Sequence, residues 1–211
     1  MSSPPPIPRR RGRPVEPVPT SAVLEAAQHV FAESGYQGAS MSTIARGCGV
    51  TKAALYNHFS SKEALYIAVL EDIATRLGSL VEQALKEPGE LLERIDALGE
   101  AVVRYLGAHP PASRLLIREF VDVGPFLKSP QLAVIGRVVE ATAQLLTAGI
   151  ASGEIAPQDP RHLAGSIIGL HLHWFATRPL AAALVGDDPF VDEQVEARVK
   201  AVQRQVRALC R

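Results

Sequence analysis

Side chains suited to grip a polyanion are gathered between Ser40 and Leu65, in the string S-M-S-T-I-A-R-G-C-G-V-T-K-A-A-L-Y-N-H-F-S-S-K-E-A-L. Ser40 and Thr51 stand where helix N-caps belong, since a short hydroxyl accepts from the free backbone N–H groups of a first turn. Ile44, Ala45, Cys48, Val50 and Leu55 are small or apolar, as residues at a helix crossing must be, and Gly49 supplies a tight turn. Cys48 fills a small crossing position and carries no chemistry. Two short helices joined in this way form a helix-turn-helix, whose second helix enters the DNA major groove. Thr51, Lys52, Ala53 and Ala54 then lie at the end of that helix which reaches base edges. Lys52 can donate to guanine O6 and N7, and Ala53 can touch a thymine methyl. Tyr56, His58 and Lys62 are expected on phosphates, together with Thr43 or Ser42 from the preceding helix. Phe59 is expected in the core.

Other chemistries find little support. No nucleophile, base and orienting group recur at useful spacing, and no Gly-rich phosphate loop precedes a helix. His171 and His173 are two apart, about 200° around a helix, so they do not form a metal pair. Neither an enzyme, nor a metal site, nor a cofactor is expected.

The string resembles the TetR family of transcriptional regulators. The match runs without gaps through Phe31, Gly35, Ile44-Ala45, Gly49-Val50, Leu55-Tyr56, His58-Phe59, Lys62-Glu63 and Leu65. It is close over about residues 20–66; beyond them the likeness lies in length and helical layout. The resemblance implies that Asn57 also lies near the bases. It further implies a homodimer on double-stranded DNA, with a small apolar or amphipathic effector held in a C-terminal helical domain. An architectural DNA-binding protein without an effector is the alternative from another class.

These residues need a scaffold, and the rest of the chain reads as helical. It has 211 residues, 47% of them hydrophobic, 5% aromatic and 21% charged, with 22 basic and 22 acidic side chains. Residues 1–63 hold seven basic and four acidic residues, a net +3 that the remainder balances with −3. A basic head on an acidic body points to a polyanion partner for the head alone. Residues 1–19 hold seven of the 16 prolines and read as a flexible arm. Its Arg11-Gly12-Arg13-Pro14, after Arg9-Arg10, looks like an AT-hook core for an A·T minor groove; a plain basic tail is the alternative. Two distant cysteines, no apolar leader and no clean bilayer span point to the cytoplasm and away from membranes.

A helix opens at Thr20 or Ser21, carries Leu24, Ala27 and Phe31 on one face, and ends at Ser34-Gly35. Residues 20–66 make the DNA-binding domain and 67–211 the effector and dimerisation domain. A long fourth helix from Ser60 or Ser61 carries Leu65, Val69, Ile73, Leu77, Leu80 and Ala84 on one stripe, and Pro88-Gly89 closes it. Helices follow at about 90–108, 111–122, 129–152, 160–184 and 190–209, separated by Pro and Gly breaks. The fold class is therefore all-α.

Val195, Val199, Val202, Val206 and Leu209 recur at 4, 3, 4, 3, a heptad-type seam for a partner helix. Gly165 and Gly169 allow close backbone approach. Both features suit the four-helix dimer interface that the resemblance implies; packing within the subunit is the alternative for the seam. His171 and Trp174 share a face with Ile167 and are the candidate ligand contacts, against the alternative that His171 is a satisfied core residue. Arg118 and Glu119 are adjacent and do not pair across one helix face, while Arg114 and Arg118, four apart, are expected on a solvated face, with an acidic partner or ligand as the alternative. The reading overall is a ligand-responsive repressor on a palindromic operator.

Overall fold

The computed structural model describes residues 18–121 and 133–211, so Arg11, Arg13 and most of the expected arm lie outside the described residues. The described chain is all-α, with ten helices and no strand among those residues. They are α1 (Thr20–Gly38), α2 (Met41–Gly47), α3 (Lys52–His58), α4 (Lys62–Lys86), α5 (Leu91–Ala108), α6 (Pro110–Val121), α7 (Ala133–Ser152), α8 (Pro160–Ala176), α9 (Arg178–Val185) and α10 (Asp192–Leu209). No helix of the described residues is long and apolar enough to cross a membrane.

The first three helices pack around Val23, Ala27, Phe31, Ile44, Ala45 and Leu55, all buried. Pro19, not Thr20 or Ser21, is the N-cap of α1, and it offers no side-chain hydrogen bond. Helical geometry breaks at Gly35, as expected, where φ is 69° and ψ is 173°. The chain then turns on through Gly38.

The long helix α4 starts at Ser61, whose hydroxyl accepts from Ala64 N. It passes through the expected 66/67 division without a break and packs on α1 at one end and on α5 and α7 further along. Its far end is held by Arg94, which donates to the carbonyls of Ala84 and Leu85, both at 2.8 Å. Such capping satisfies carbonyls that a helix end leaves without partners.

The C-terminal body is built from α5 to α10. The single helix expected over 160–184 is two. Thr177 leaves helical geometry at φ −104° and ψ 47°. Pro179 has no N–H to donate to the previous turn. Asp159 starts α8 by accepting from Arg161 N and His162 N, with Pro160 in the first turn. Those N–H groups hold its carboxyl below the ordinary value.

The valine seam of α10 is occupied within the subunit. Val195, Val199, Val202 and Val206 are all buried, and α10 packs on α5. A Cβ placed on Gly107 would come within 2.9 Å of Val195, and one on Gly99 within 3.9 Å of Val202. The expected dimer role of these four valines is therefore corrected. A heptad seam records a neighbouring helix, and here that neighbour is α5 of the same chain. Leu209 is exposed, as are Gly165 and Gly169 on α8.

Candidate nucleic-acid interface and core cavity

The turn between α2 and α3 is closed by main-chain bonds. Gly49 N donates to Arg46 O at 3.1 Å and Val50 N to Ala45 O at 2.9 Å. This is the Schellman pattern, which needs the left-handed residue that Gly49 provides at φ 69°. At the start of α2, Ser40 Oγ accepts from Thr43 N at 3.1 Å and lies 2.9 Å from Thr43 Oγ1. At the start of α3, Thr51 Oγ1 accepts from Ala54 N at 3.1 Å. Both hydroxyl caps read from the sequence are thus formed.

Leu55 is fully buried and anchors α3, while Thr51, Lys52, Ala53, Tyr56, Asn57 and His58 are exposed. The Lys52 ammonium lies 5.9 Å from the Tyr56 ring centre. Thr20 Oγ1 lies 3.4 Å from His58 Nδ1, tying the start of α1 to the end of α3. On α2, Ser42 and Thr43 are exposed, and so is Arg46. Arg46 was not among the residues singled out from the sequence. Its i+4 spacing from Ser42 and i+3 from Thr43 was the available signal, since those spacings share a helix face.

Lys62 is tied to the end of α1. Its ammonium donates to Tyr36 O at 2.8 Å and to Ala39 O at 3.1 Å, and it lies 4.3 Å from the Tyr36 ring centre. The side chain turns inward to fasten the end of α1 to the start of α4. Two of the three ammonium N–H donors are thereby engaged within the subunit.

The same corner receives α6. Tyr66 and Glu119 are both buried, and the Tyr66 hydroxyl donates to Glu119 Oε1. Arg118 lies against the bend of α1, where a Cβ on Gly35 would fall 2.3 Å from Nη1. The solvated face expected for Arg118 is thus corrected, while Arg114 is exposed. The residue pattern of α6 could not reveal this, because the partners are far away in sequence.

A cavity of about 110 Å³ lies in the C-terminal body. Its walls come from α4, α5, α6, α7, α8 and α10, through residues such as Leu77, Leu98, Leu116 and Val206. Among the described lining residues, Thr142 and His171 carry the polar side-chain groups. His171 is 6% exposed, and its Nδ1 lies 2.7 Å from Ile167 O. Burial is the main cause that lowers its pKa, with the Arg198 charge acting in the same direction.

His171 thus lines the cavity, whereas Trp174 is not among its described lining residues. Trp174 is offset from His171 by about 60° around the helix and packs towards α10. Its ring is covered by the Arg198 guanidinium at 4.6 Å.

Comparison with known proteins bears on this architecture. Residues 23–69 match the family profile described as bacterial regulatory proteins, tetR family. Residues 92–206 match that described as tetracyclin repressor-like, C-terminal domain. The HTH-type transcriptional regulator RutR of Escherichia coli K12 is 31% identical over 179 residues, covering 83% of this chain and 84% of RutR. Among solved structures, AibR in complex with isovaleryl coenzyme A and operator DNA shares the fold at TM-score 0.68 and 23% identity, covering 88% of this chain and 96% of that one. FadR of Bacillus subtilis in complex with stearoyl-CoA does so at TM-score 0.68 and 20% identity, covering 92% and 100%. With both halves of the chain matched, this protein belongs to the TetR family of bacterial DNA-binding transcriptional regulators.

Proposed function

We propose that the chain is a cytoplasmic homodimeric repressor that leaves its palindromic operator when a small apolar or amphipathic molecule enters the body. The observation that carries this reading is the position of α6. Leu116 on α6 lines the cavity, and Arg118 and Glu119 on the same helix meet Gly35 and Tyr66 beside the helix-turn-helix. A ligand that displaces the Leu116 wall would strain both contacts. The recognition helices would then depart from the spacing the groove requires. Such a ligand must bind the two arrangements unequally, since one that binds both equally shifts nothing. The coenzyme A complexes of two similarly folded regulators support a ligand-responsive body.

On DNA, Thr51, Lys52, Ala53 and Asn57 are assigned to base edges and Ser42, Thr43, Tyr56 and His58 to the backbone. Arg46 joins the backbone set by its exposure beside Ser42 and Thr43. Arg11 and Arg13 are assigned to the flanking minor groove. The dimer face is assigned to the outer side of α8 around Gly165 and Gly169, where a Cβ would meet nothing within 4 Å, together with exposed Leu209 of α10.

The test begins by selecting bound duplexes from a random pool. A two-fold symmetric consensus, with release by a cavity ligand, upholds the proposal. Lys52→Ala should relax the preference at one position per half-site. Deleting residues 1–14 should weaken binding most where the flanks are A·T-rich. Gly165→Glu with Gly169→Glu should yield monomer by sedimentation and lose operator binding. A selected site without symmetry, or a dimer that persists in the double variant, refutes the corresponding part.

A further inference from the structure

The two polar side chains on the described cavity wall have both committed their hydrogens to main-chain carbonyls. His171 Nδ1 faces Ile167 O at 2.7 Å. A carbonyl only accepts, so Nδ1 carries the proton of the neutral ring and Nε2 is left as an acceptor. Burial and the neighbouring Arg198 charge disfavour a second proton, outweighing the carbonyls of Ile167 and Gly99. Nε2 is buried and has no hydrogen-bond partner among the described residues. It is directed towards Gly99 of α5, where a Cβ would lie 3.6 Å away, so the glycine keeps that edge clear of a larger side chain. The Gly99 carbonyl is on the same side but does not meet hydrogen-bond geometry. Thr142 Oγ1 donates to Val138 O at 2.9 Å, which uses its single hydrogen and leaves only lone pairs to offer.

No Asp, Glu, Lys or Arg is found among the described lining residues. Arg198 is the cation that acts on His171, but it stands outside the wall, donating to Leu170 O at 2.5 Å and covering Trp174. A ligand carboxylate would therefore bring acceptor-only oxygens against another acceptor, with no cation among the described lining residues to receive them. A charged group buried without a partner is strongly disfavoured. A hydroxyl or N–H would instead complete the Nε2 lone pair.

We infer that this cavity selects neutral, largely apolar molecules carrying a hydroxyl or N–H donor, and rejects carboxylates of the same shape. The inference rests on the cavity being the effector site proposed above.

The experiment uses the full chain and three probes of equal chain length: 1-octanol, octyl methyl ether and octanoate. Binding is followed by calorimetry and by the fluorescence of the single tryptophan, Trp174, three residues from His171. Release of the selected operator duplex is measured in parallel by anisotropy. Octanol should bind about tenfold more tightly than the ether or octanoate, because a buried acceptor left unpaired discriminates at that level. His171→Phe should bring the three probes within about threefold of one another by removing the acceptor. Thr142→Val, which keeps the shape, should reduce the preference by a smaller factor and is decisive should the first variant not fold.

Octanoate binding as tightly as octanol overturns the inference. So does an octanol preference that survives both substitutions, or failure of all three probes to bind. Preferred octanoate binding that also releases DNA overturns the inference and leaves the effector reading intact. Preferred octanol binding that leaves DNA affinity unchanged does the reverse.

Discussion

Lys62→Met removes an ammonium while keeping most of its aliphatic stem, and it separates two roles for one residue. The structure gives Lys62 two charge-assisted hydrogen bonds, to Tyr36 O and Ala39 O, and a cation–π contact at 4.3 Å. Hydrogen bonds to charged groups contribute about 1.5–3 kcal/mol each, and partial exposure of Lys62 argues for the lower end or less. A half-exposed cation–π contact adds about 0.5–1 kcal/mol. Together the loss should be about 2–3 kcal/mol. For a chain of this length that lowers Tm by roughly 5–10 °C. The assay pairs thermal unfolding with DNA affinity measured across a salt series, at a temperature where both proteins are folded. A lost phosphate contact would flatten the plot of log affinity against log salt by about one unit. An internal tie predicts an unchanged slope. A slope lower by one unit, with Tm unmoved, would refute the structural role and restore the phosphate contact.

Four further outcomes are expected. Tyr66→Phe should cost about 2–3 kcal/mol in urea unfolding by leaving the buried Glu119 carboxyl without this donor, and a loss below about 0.5 kcal/mol would deny the pair its importance. Gly35→Ala should destabilise by about 1–3 kcal/mol, combining left-handed strain with the clash against Arg118, and adding Arg118→Ala should recover only the steric share, as a double-mutant cycle will reveal. The lowered pKa of His171 means the unfolded chain binds the proton more readily, so this residue's contribution is complete above pH 6.5 and falls away as the pH drops below it. Unfolding free energies between pH 7.5 and 5.5 should therefore decline less steeply in His171→Phe than in the parent protein. Val199→Asp with Val202→Asp should abolish folding, because both valines are core; a folded monomer by circular dichroism and sedimentation would return the seam to the dimer interface.

The DNA-binding helices were legible because their determinants are local. Hydroxyl caps, the glycine of the turn and the apolar crossing residues act on neighbours a few positions away, and Ser40, Gly49, Thr51 and Leu55 all do what their spacing implies. The break of α1 at Gly35 was legible for the same reason. The division of one expected helix into α8 and α9 was missed although Pro179 was visible. Proline does not by itself reveal whether a helix bends or stops, and here Thr177 breaks the geometry two residues earlier.

By itself, the sequence determined the all-α class, the helix-turn-helix with its exposed polar face, and the family. Each depends on periodicity and short-range hydrogen bonding, which are properties of contiguous residues. Only the tertiary structure decided which surface each helix face meets. The α10 valines announce a neighbouring helix without naming it, and packing chose α5 of the same chain. Lys62 announces a cation, and the fold turned it onto the carbonyls of Tyr36 and Ala39. Glu119 looks like a surface carboxylate until α6 is laid beside Tyr66, 53 positions away. His171 and Trp174 lie on neighbouring turns of one helix, yet only His171 lines the cavity. In each case the partner is distant along the chain, and long-range pairing depends on how apolar faces pack together, which no short window of residues records.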